Sequence, residues 1–171
     1  IKTKAKLLLK SARKSHSDLS ISKRIVVKSM DLQLKHCLAF VAQELGFDSW
    51  KQAQSLLSRQ SPPDERINFG TMWHNNQCLA LSNLWYSQYD EAQSALTSNP
   101  KQFLVPFKTQ FIVVEKEYLL MLNFTEIEIQ LLRQIQRDLV ASFGRPEWDM
   151  LAKHRIHDQL KIEQLINREK Q

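Results

Sequence analysis

The chain has 171 residues, 43% hydrophobic and 25% charged, with a formal net charge of +6 and three glycines, the profile of an ordinary folded, helix-leaning chain rather than a disordered one. No apolar run approaches the roughly 20 residues needed to cross a bilayer, no signal-peptide pattern opens the chain, and Ile1 in place of methionine leaves room for a trimmed start. Two cysteines, Cys37 and Cys78, are too few for a disulfide framework, and a reducing cytoplasm is the expected home.

The charge is unevenly spread. Residues 1–36 hold ten Lys or Arg against Asp18 and Asp31, a local balance of +8, while the other residues balance to −2. A basic N-terminal arm before a nearly neutral body points to a polyanionic partner, most often nucleic acid, and DNA before RNA. The competing reading is a solvated face that serves solubility. The arm opens with Ala5, Leu8, Leu9 and Ala12 at helical spacing, surrounded by Lys2, Lys4, Lys6, Lys10, Arg13 and Lys14, as an amphipathic basic helix. It lacks the Trp or Phe that a membrane-surface helix wants, so no membrane partner is expected and packing on the next helices is.

Ser15 to Ser22 is a serine-rich break holding His16. Lys23, Arg24 and Lys28 extend the basic arm through a β-branched segment, Ile21 to Met30, read as helix. From Asp31 to Leu57 the pattern is clearer. Leu34, Cys37, Leu38, Val41, Ala42 and Leu45 form one stripe, Asp31 is placed to cap its start, and Gly46 ends it with Phe47 folding back. Asp48 then caps a second helix through Trp50, Ala53, Leu56 and Leu57. Tested as a DNA-reading helix-turn-helix, Val41, Ala42, Leu45, Gly46 and Phe47 fit the first half, but Gln52 and Ser55 fall where the second half needs buried residues. Lys51, Gln52 and Gln54 are what a shifted second helix would present to a groove. A helical hairpin that packs is favoured over groove reading.

Ser58 to Arg66, with Pro62 and Pro63, reads as a linker, giving a basic helical module over 1–60, a linker over 61–66 and an α+β domain over 67–171. Phe69 to Trp73 and Leu79 to Tyr86 are read as a hairpin turning at His74 to Gln77, and Asp90 to Leu96 as a short helix. Phe103, Val105, Phe107, Phe111 and Val113 alternate as a strand, with Pro106 confining it to an edge or a bulge. Glu115 to Leu122 is a short helix. Thr125 and Glu128 form a capping box for a helix running through Leu131, Leu132, Ile135 and Leu139 to Gly144, and Pro146 opens the last helix, with Trp148, Leu151, Ala152, Ile156 and Leu160 inward. The fold class is therefore α+β: a helical N-terminal module, a small antiparallel sheet and C-terminal helices.

The residues Ala42, Leu45, Gly46, Phe47 and Trp50 resemble an A-x-x-L-G-F-x-x-W element that recurs in the N-terminal regions of bacterial glyoxalase-related proteins and in uncharacterised plasmid-borne or mobile-element proteins. That resemblance implies a bacterial accessory protein and carries no reaction with it.

Chemistry elsewhere is thin. His154, His157 and Asp158 have helical metal-ligand spacing but no visible partner cluster, so a solvated basic face with Lys153 and Lys161 is expected, and no metal or cofactor. His74 and Cys78 could approach across their turn as a thiol pair, yet nothing marks an orienting group; His36 and Cys37 point apart on their helix. The glycines are isolated, which excludes a P-loop. Trp73, Trp85, Tyr86, Tyr89 and Phe111 fit a core better than a base-stacking sheet. The reading is a non-enzymatic nucleic-acid binder acting through the basic arm, Lys51 and Gln54, with a protein-interaction module using Trp50 as the alternative and a cysteine enzyme third.

Overall fold

A computed structural model describes residues 1–15, 19–22, 25–59 and 67–168. The chain divides into two compact units, Ile1–Pro62 and Pro63–Gln171, and the stretch expected as linker, 61–66, lies outside the described residues. Among the described residues the architecture is α+β, and no helix is long and apolar enough to cross a membrane.

The first unit runs α1 (Lys2–Ser15), a short antiparallel hairpin of β1 (Leu19–Ser22) and β2 (Ile25–Val27), a single tight turn (Ser29–Asp31), α2 (Leu34–Glu44) and α3 (Trp50–Leu57). The hairpin corrects the helix expected over Ile21 to Met30. Consecutive β-branched Ile25, Val26 and Val27 are stiff at χ1 and suit a pleated strand better than a helix, and they pair with Leu19, Ser20 and Ser22. Asp31 belongs to the tight turn rather than to the cap of α2. The cap position is Gln33, whose amide donates to His36 Nδ1 at 3.1 Å.

The end of α2 is as expected. Gly46 has φ +84°, its N–H reaches Gln43 O at 2.9 Å, and Phe47 N–H reaches Ala42 O at 3.0 Å. Those two bonds are the Schellman pattern, which an L side chain at the left-handed position would strain. At α3 the cap is Ser49, not Asp48: Ser49 Oγ accepts from Gln52 N–H at 3.1 Å, and Gln52 Oε1 accepts from Asp48 N–H at 2.6 Å. α1 and α3 each pack on α2, over a core that includes Ala5, Ala12, Cys37, Val41, Ala42, Leu45, Phe47, Ala53 and Leu56.

The second unit contains β3 (Leu84–Tyr86), α4 (Tyr89–Ser98), β4 (Phe103–Phe107), β5 (Gln110–Val114), α5 (Lys116–Met121), α6 (Glu126–Gln134) and α7 (Pro146–Arg168). Its antiparallel sheet has the order β3-β5-β4, with Leu84 opposite Val113 and Val105 opposite Ile112. The single strand expected from Phe103 to Val113 is instead a tight hairpin turning at Lys108 and Thr109, and Lys108 takes φ +53°. The turn is clamped from outside, since Phe69 N–H donates to Lys108 O and Lys108 N–H to Gly70 O. Pro106 does lie on an edge strand, as its missing N–H requires.

No strand forms at Phe69 to Trp73, which correct the expected first hairpin. Phe69, Met72 and Trp73 are buried in a turn, and Asn76–Ala80 is a tight 3-10 segment whose start is capped by Asn75 Oδ1 accepting from Gln77 N–H and Cys78 N–H. The capping box of Thr125 and Glu128 is present, but α6 stops at Gln134 rather than reaching Gly144. Gln136 and Arg137 both take positive φ. The Arg137 guanidinium donates to the carbonyls of Asn99 (2.7 Å) and Gln102 (2.9 Å). Asp138, 3% exposed, accepts from Tyr89 Oη at 2.6 Å and from the amides of Val140 (2.8 Å) and Ala141 (2.9 Å). Leu104 N–H donates to Arg137 O and Leu139 N–H to Leu104 O, so this loop covers the outer edge of β4. Tertiary hydrogen bonds outweigh the helical period of Ile135 and Leu139.

A chain of edge-to-face rings runs through the unit: Phe69 on Phe143, Phe143 on Trp148, Trp148 on Trp73 and Trp73 on Phe124, with centroids 5.0 to 6.2 Å apart. The loop after α6 is held by the buried Leu139 and by the polar anchor Asp138, which no other group of the loop can replace. Asp138→Ala is expected to cost about 2 kcal/mol by leaving three part-buried donors without their acceptor, and Tyr89→Phe about 1 kcal/mol. Urea midpoints followed by tryptophan fluorescence measure both, and Tyr89→Phe should cost much less once Asp138 is already alanine.

Candidate nucleic-acid interface

The basic arm becomes a surface because of what α1 buries. Ala5 is fully buried and Ala12 nearly so, with Leu8 and Leu9 half-buried beside them, and this narrow face packs against α2. Lys2, Lys6, Lys10 and Lys14 follow one another at i, i+4 spacing and are all exposed, as is Arg13. Side chains four apart on a helix are neighbours about 5–6 Å apart, so these five cations form one continuous strip, with the exposed Thr3 inside it. Among the described residues, no ion pair or hydrogen bond holds Lys2, Lys6, Lys10 or Lys14.

The other expected residues divide. Lys4 is half-buried at the margin of the strip and already engaged. Arg13 has a second task, because its Nη2 donates to Leu32 O at 2.9 Å and ties α1 to the segment that leads into α2. Lys28 is exposed after β2. Lys23 and Arg24 lie outside the described residues, and so does His16. Lys51 and Gln54 are exposed on α3, on the side away from the buried Ala53 and Leu56, and so belong to a different helix from the strip. Gln52 is withdrawn from any such surface by its bond to the Asp48 amide.

Residues 1–62 hold twelve basic and four acidic side chains, and residues 63–171 hold twelve and fourteen. The field is thus a property of the first unit, and within it of α1, which contains no acidic residue at all.

In the second unit His74 and Cys78 do come near each other, through Tyr118. Tyr118 Oη donates to Trp73 O at 3.0 Å and lies 2.8 Å from His74 Nδ1. Since the hydroxyl has one proton, the bond to Trp73 leaves His74 Nδ1–H as the donor to Tyr118. Cys78 is fully buried, and its Sγ lies 3.3 Å from Asn75 Oδ1. Burial pushes the thiol up, against the opposing pull of Asn75, Tyr118 and the nearby Arg155. Burial together with Cys78 raises Tyr118 well above an ordinary phenol, and burial lowers His74. All three shifts favour the neutral forms, the reverse of what an activated thiolate needs.

The spacing of His74 and Cys78 in the sequence points to neither Tyr118 nor Arg155. For Arg155 the signal was in the sequence: it falls at i+7 from Trp148 and i+4 from Leu151, on the buried stripe of α7. It is 2% exposed, with Nε donating to Met72 O at 3.0 Å and Nη1 3.5 Å from Asp158 Oδ2. The neighbouring face of α7 is also less open than expected. His157 and Lys153 are exposed, but His154 is half-buried with Nδ1 3.0 Å from Glu128 Oε1 and Nε2 3.3 Å from Asn123 O. Both ring nitrogens thus face oxygen atoms of the protein. Among the described residues no group of three or more His, Cys, Asp or Glu could hold a metal ion.

Of the aromatics weighed for stacking, Trp73 is core, Tyr86, Tyr89 and Phe111 are half-buried against the α4 cluster, and Trp85 is exposed with its ring edge-to-face on Phe107.

No family model, no curated protein and no solved structure matches the chain.

Both cysteines are free and fully buried. A thiol reagent at pH 8 is expected to modify neither in the native protein within minutes and both after unfolding in urea; one fast native thiol would reopen the nucleophile reading. At Glu128, burial raises the carboxyl, but the hydrogen bonds from Thr125 and the charge of His154 outweigh it and hold the pKa below the ordinary value. A depressed folded pKa adds stability that is complete above the unfolded value and is lost as pH falls through the folded one. Glu128→Gln should therefore lower stability at pH 7 and flatten its fall between about pH 5 and 3, as read by urea midpoints across that range.

Proposed function

We propose that the protein binds nucleic acid, DNA in preference to RNA, through the basic helical face of its first unit. The observation that carries this reading is the charge order on α1 itself. A helix gains from acidic residues in its first turn and loses from like charges four apart. α1 does the opposite, with Lys2 and Lys4 in its first turn, no acidic residue there, and three consecutive Lys pairs at i, i+4. Each such pair costs about 0.2–0.5 kcal/mol. A face that served only solubility would intersperse both signs and avoid that cost.

The cost is intelligible if a polyanion neutralises the strip on binding, because neutralised phosphates release condensed counterions and supply the affinity. Arg13 supports the same reading in a second way. Its bond to Leu32 O holds the C-terminal end of α1 against the body of the unit, so the strip is presented on a fixed helix rather than on a loose tail.

The double substitution Lys6→Glu and Lys10→Glu separates function from stability. It replaces two like pairs, Lys2 with Lys6 and Lys10 with Lys14, by opposite-charge pairs, so thermal stability should hold or rise by a few tenths of a kcal/mol. Affinity for a mixed-sequence DNA duplex in about 100 mM salt should fall at least tenfold. Unchanged affinity would sink the proposal. A fall in melting temperature large enough to unfold α1 would instead assign the lysines a structural role.

A further inference from the structure

We propose that the α1 strip engages the sugar-phosphate backbone of duplex rather than single-stranded nucleic acid, and without reading its bases. This rests on the nucleic-acid reading above and narrows it to a substrate class. Three features of the first unit carry it.

The first is length and charge density. Lys2 to Lys14 covers all of α1 but its last residue, twelve steps and a rise of about 18 Å at 1.5 Å per residue. A duplex carries one phosphate per about 1.7 Å of axis counting both strands, so about ten lie along that length, and the winding of the strands leaves about half of them on the side a strip can face. The strip offers four exposed lysines, with the exposed Arg13, tied to Leu32 O, beside them. Cations and reachable phosphates are of comparable number over a rigid rod, and a duplex is the form of nucleic acid that holds its phosphates at fixed positions along a stiff axis.

The second feature is the state of the aromatic residues. Single strands are held by stacking bases on exposed aromatic side chains beside a basic groove. The first unit contains Phe40, Phe47 and Trp50 and no other Phe, Tyr or Trp. Phe47 is buried, and Phe40 and Trp50 are half-buried on α2 and α3. No stacking platform stands beside the lysines.

The third is the fate of a base-reading side chain. Glutamine reads adenine by a bidentate contact from a helix seated in the major groove. Gln52 has its amide oxygen committed to the Asp48 N–H at 2.6 Å, and α3 is eight residues long. Lysine ammonium groups and the Thr3 hydroxyl, by contrast, are phosphate partners that position a protein without specifying sequence.

Fluorescence anisotropy on the full chain tests this with three probes: a labelled 20-base-pair mixed-sequence DNA duplex, a second duplex of unrelated sequence, and one labelled strand alone. The expected result is binding of both duplexes within about twofold of each other, weaker binding of the single strand, and a log–log salt slope near −4 on duplex, from four to five contacts at about −0.9 each. Lys10→Gln should reduce that slope by about one and weaken both duplexes equally, a signature that a merely structural lysine would not give. Equal or tighter binding of the single strand overturns the duplex assignment while leaving the nucleic-acid reading in place. Discrimination of more than about tenfold between the duplexes overturns the backbone-only assignment. Failure to bind any probe at low salt overturns both.

Discussion

A charge taken out of water must find a partner or stay outside, and this one constraint shapes the two units in opposite ways. In the first unit the face that α1 turns to α2 is lined by Ala5 and Ala12. These side chains are too small to hold the helices apart, and the resulting close approach leaves no room for an ammonium group. Eight positions of α1 are exposed to solvent, and five of them, Lys2, Lys6, Lys10, Arg13 and Lys14, are basic. The strip is thus a by-product of how α1 must pack as much as of the residues that compose it. In the second unit charge goes inward. Arg155 and Asp138 are buried, and each is held chiefly by backbone groups: Arg155 by Met72 O, Asp138 by the amides of Val140 and Ala141.

The inward charges explain why the second unit was harder to read than the first. Along the stretch from α2 to α3, every decisive contact is local: Gly46 needs its positive φ for bonds to Gln43 and Ala42, and Ser49 caps three residues ahead. Local chemistry is written in local sequence, and the helical hairpin was legible. The end of α6 depends instead on Arg137 meeting carbonyls near residue 100 and Asp138 meeting Tyr89. Nothing in the period of Ile135 and Leu139 signals such distant partners, so the pattern reads as uninterrupted helix. The hairpin of β4 and β5 failed for a different reason. Lys108 and Thr109 lack the Asn-Gly chemistry that marks a tight turn, and its conformation is imposed by Phe69 and Gly70. The one local trace was Thr109 itself, the polar residue interrupting an alternation of apolar ones.

Of the candidate interface, the helix and its lysines were legible from spacing alone. The double role of Arg13 was not, because its acceptor, Leu32 O, lies nineteen residues away. The same holds for Gln52, which looks like a free amide on an exposed helix until its bond to the Asp48 amide is seen. Both hidden contacts bear on function in the same direction. One stiffens the support of the strip, and the other takes away a side chain that could have read bases.

The two halves of the expected helix-turn-helix therefore have different fates for one physical reason. The first half of that motif is defined by packing, and Val41, Ala42, Leu45 and Phe47 pack as it requires. Its second half is defined by what remains unsatisfied at the surface of a helix long enough to enter a groove. α3 has eight residues, Ser49 and Gln52 are occupied with its own N-terminus, and Trp50 is half-buried. What it leaves exposed, Lys51, Gln54 and Ser58, is no more than an ordinary helix surface shows, and Ser58 Oγ is turned back on Gln54 O. A helix of that kind braces its neighbour. Through α2 it supports α1, where Lys2, Lys6, Lys10 and Lys14 stand exposed and, among the described residues, unpaired.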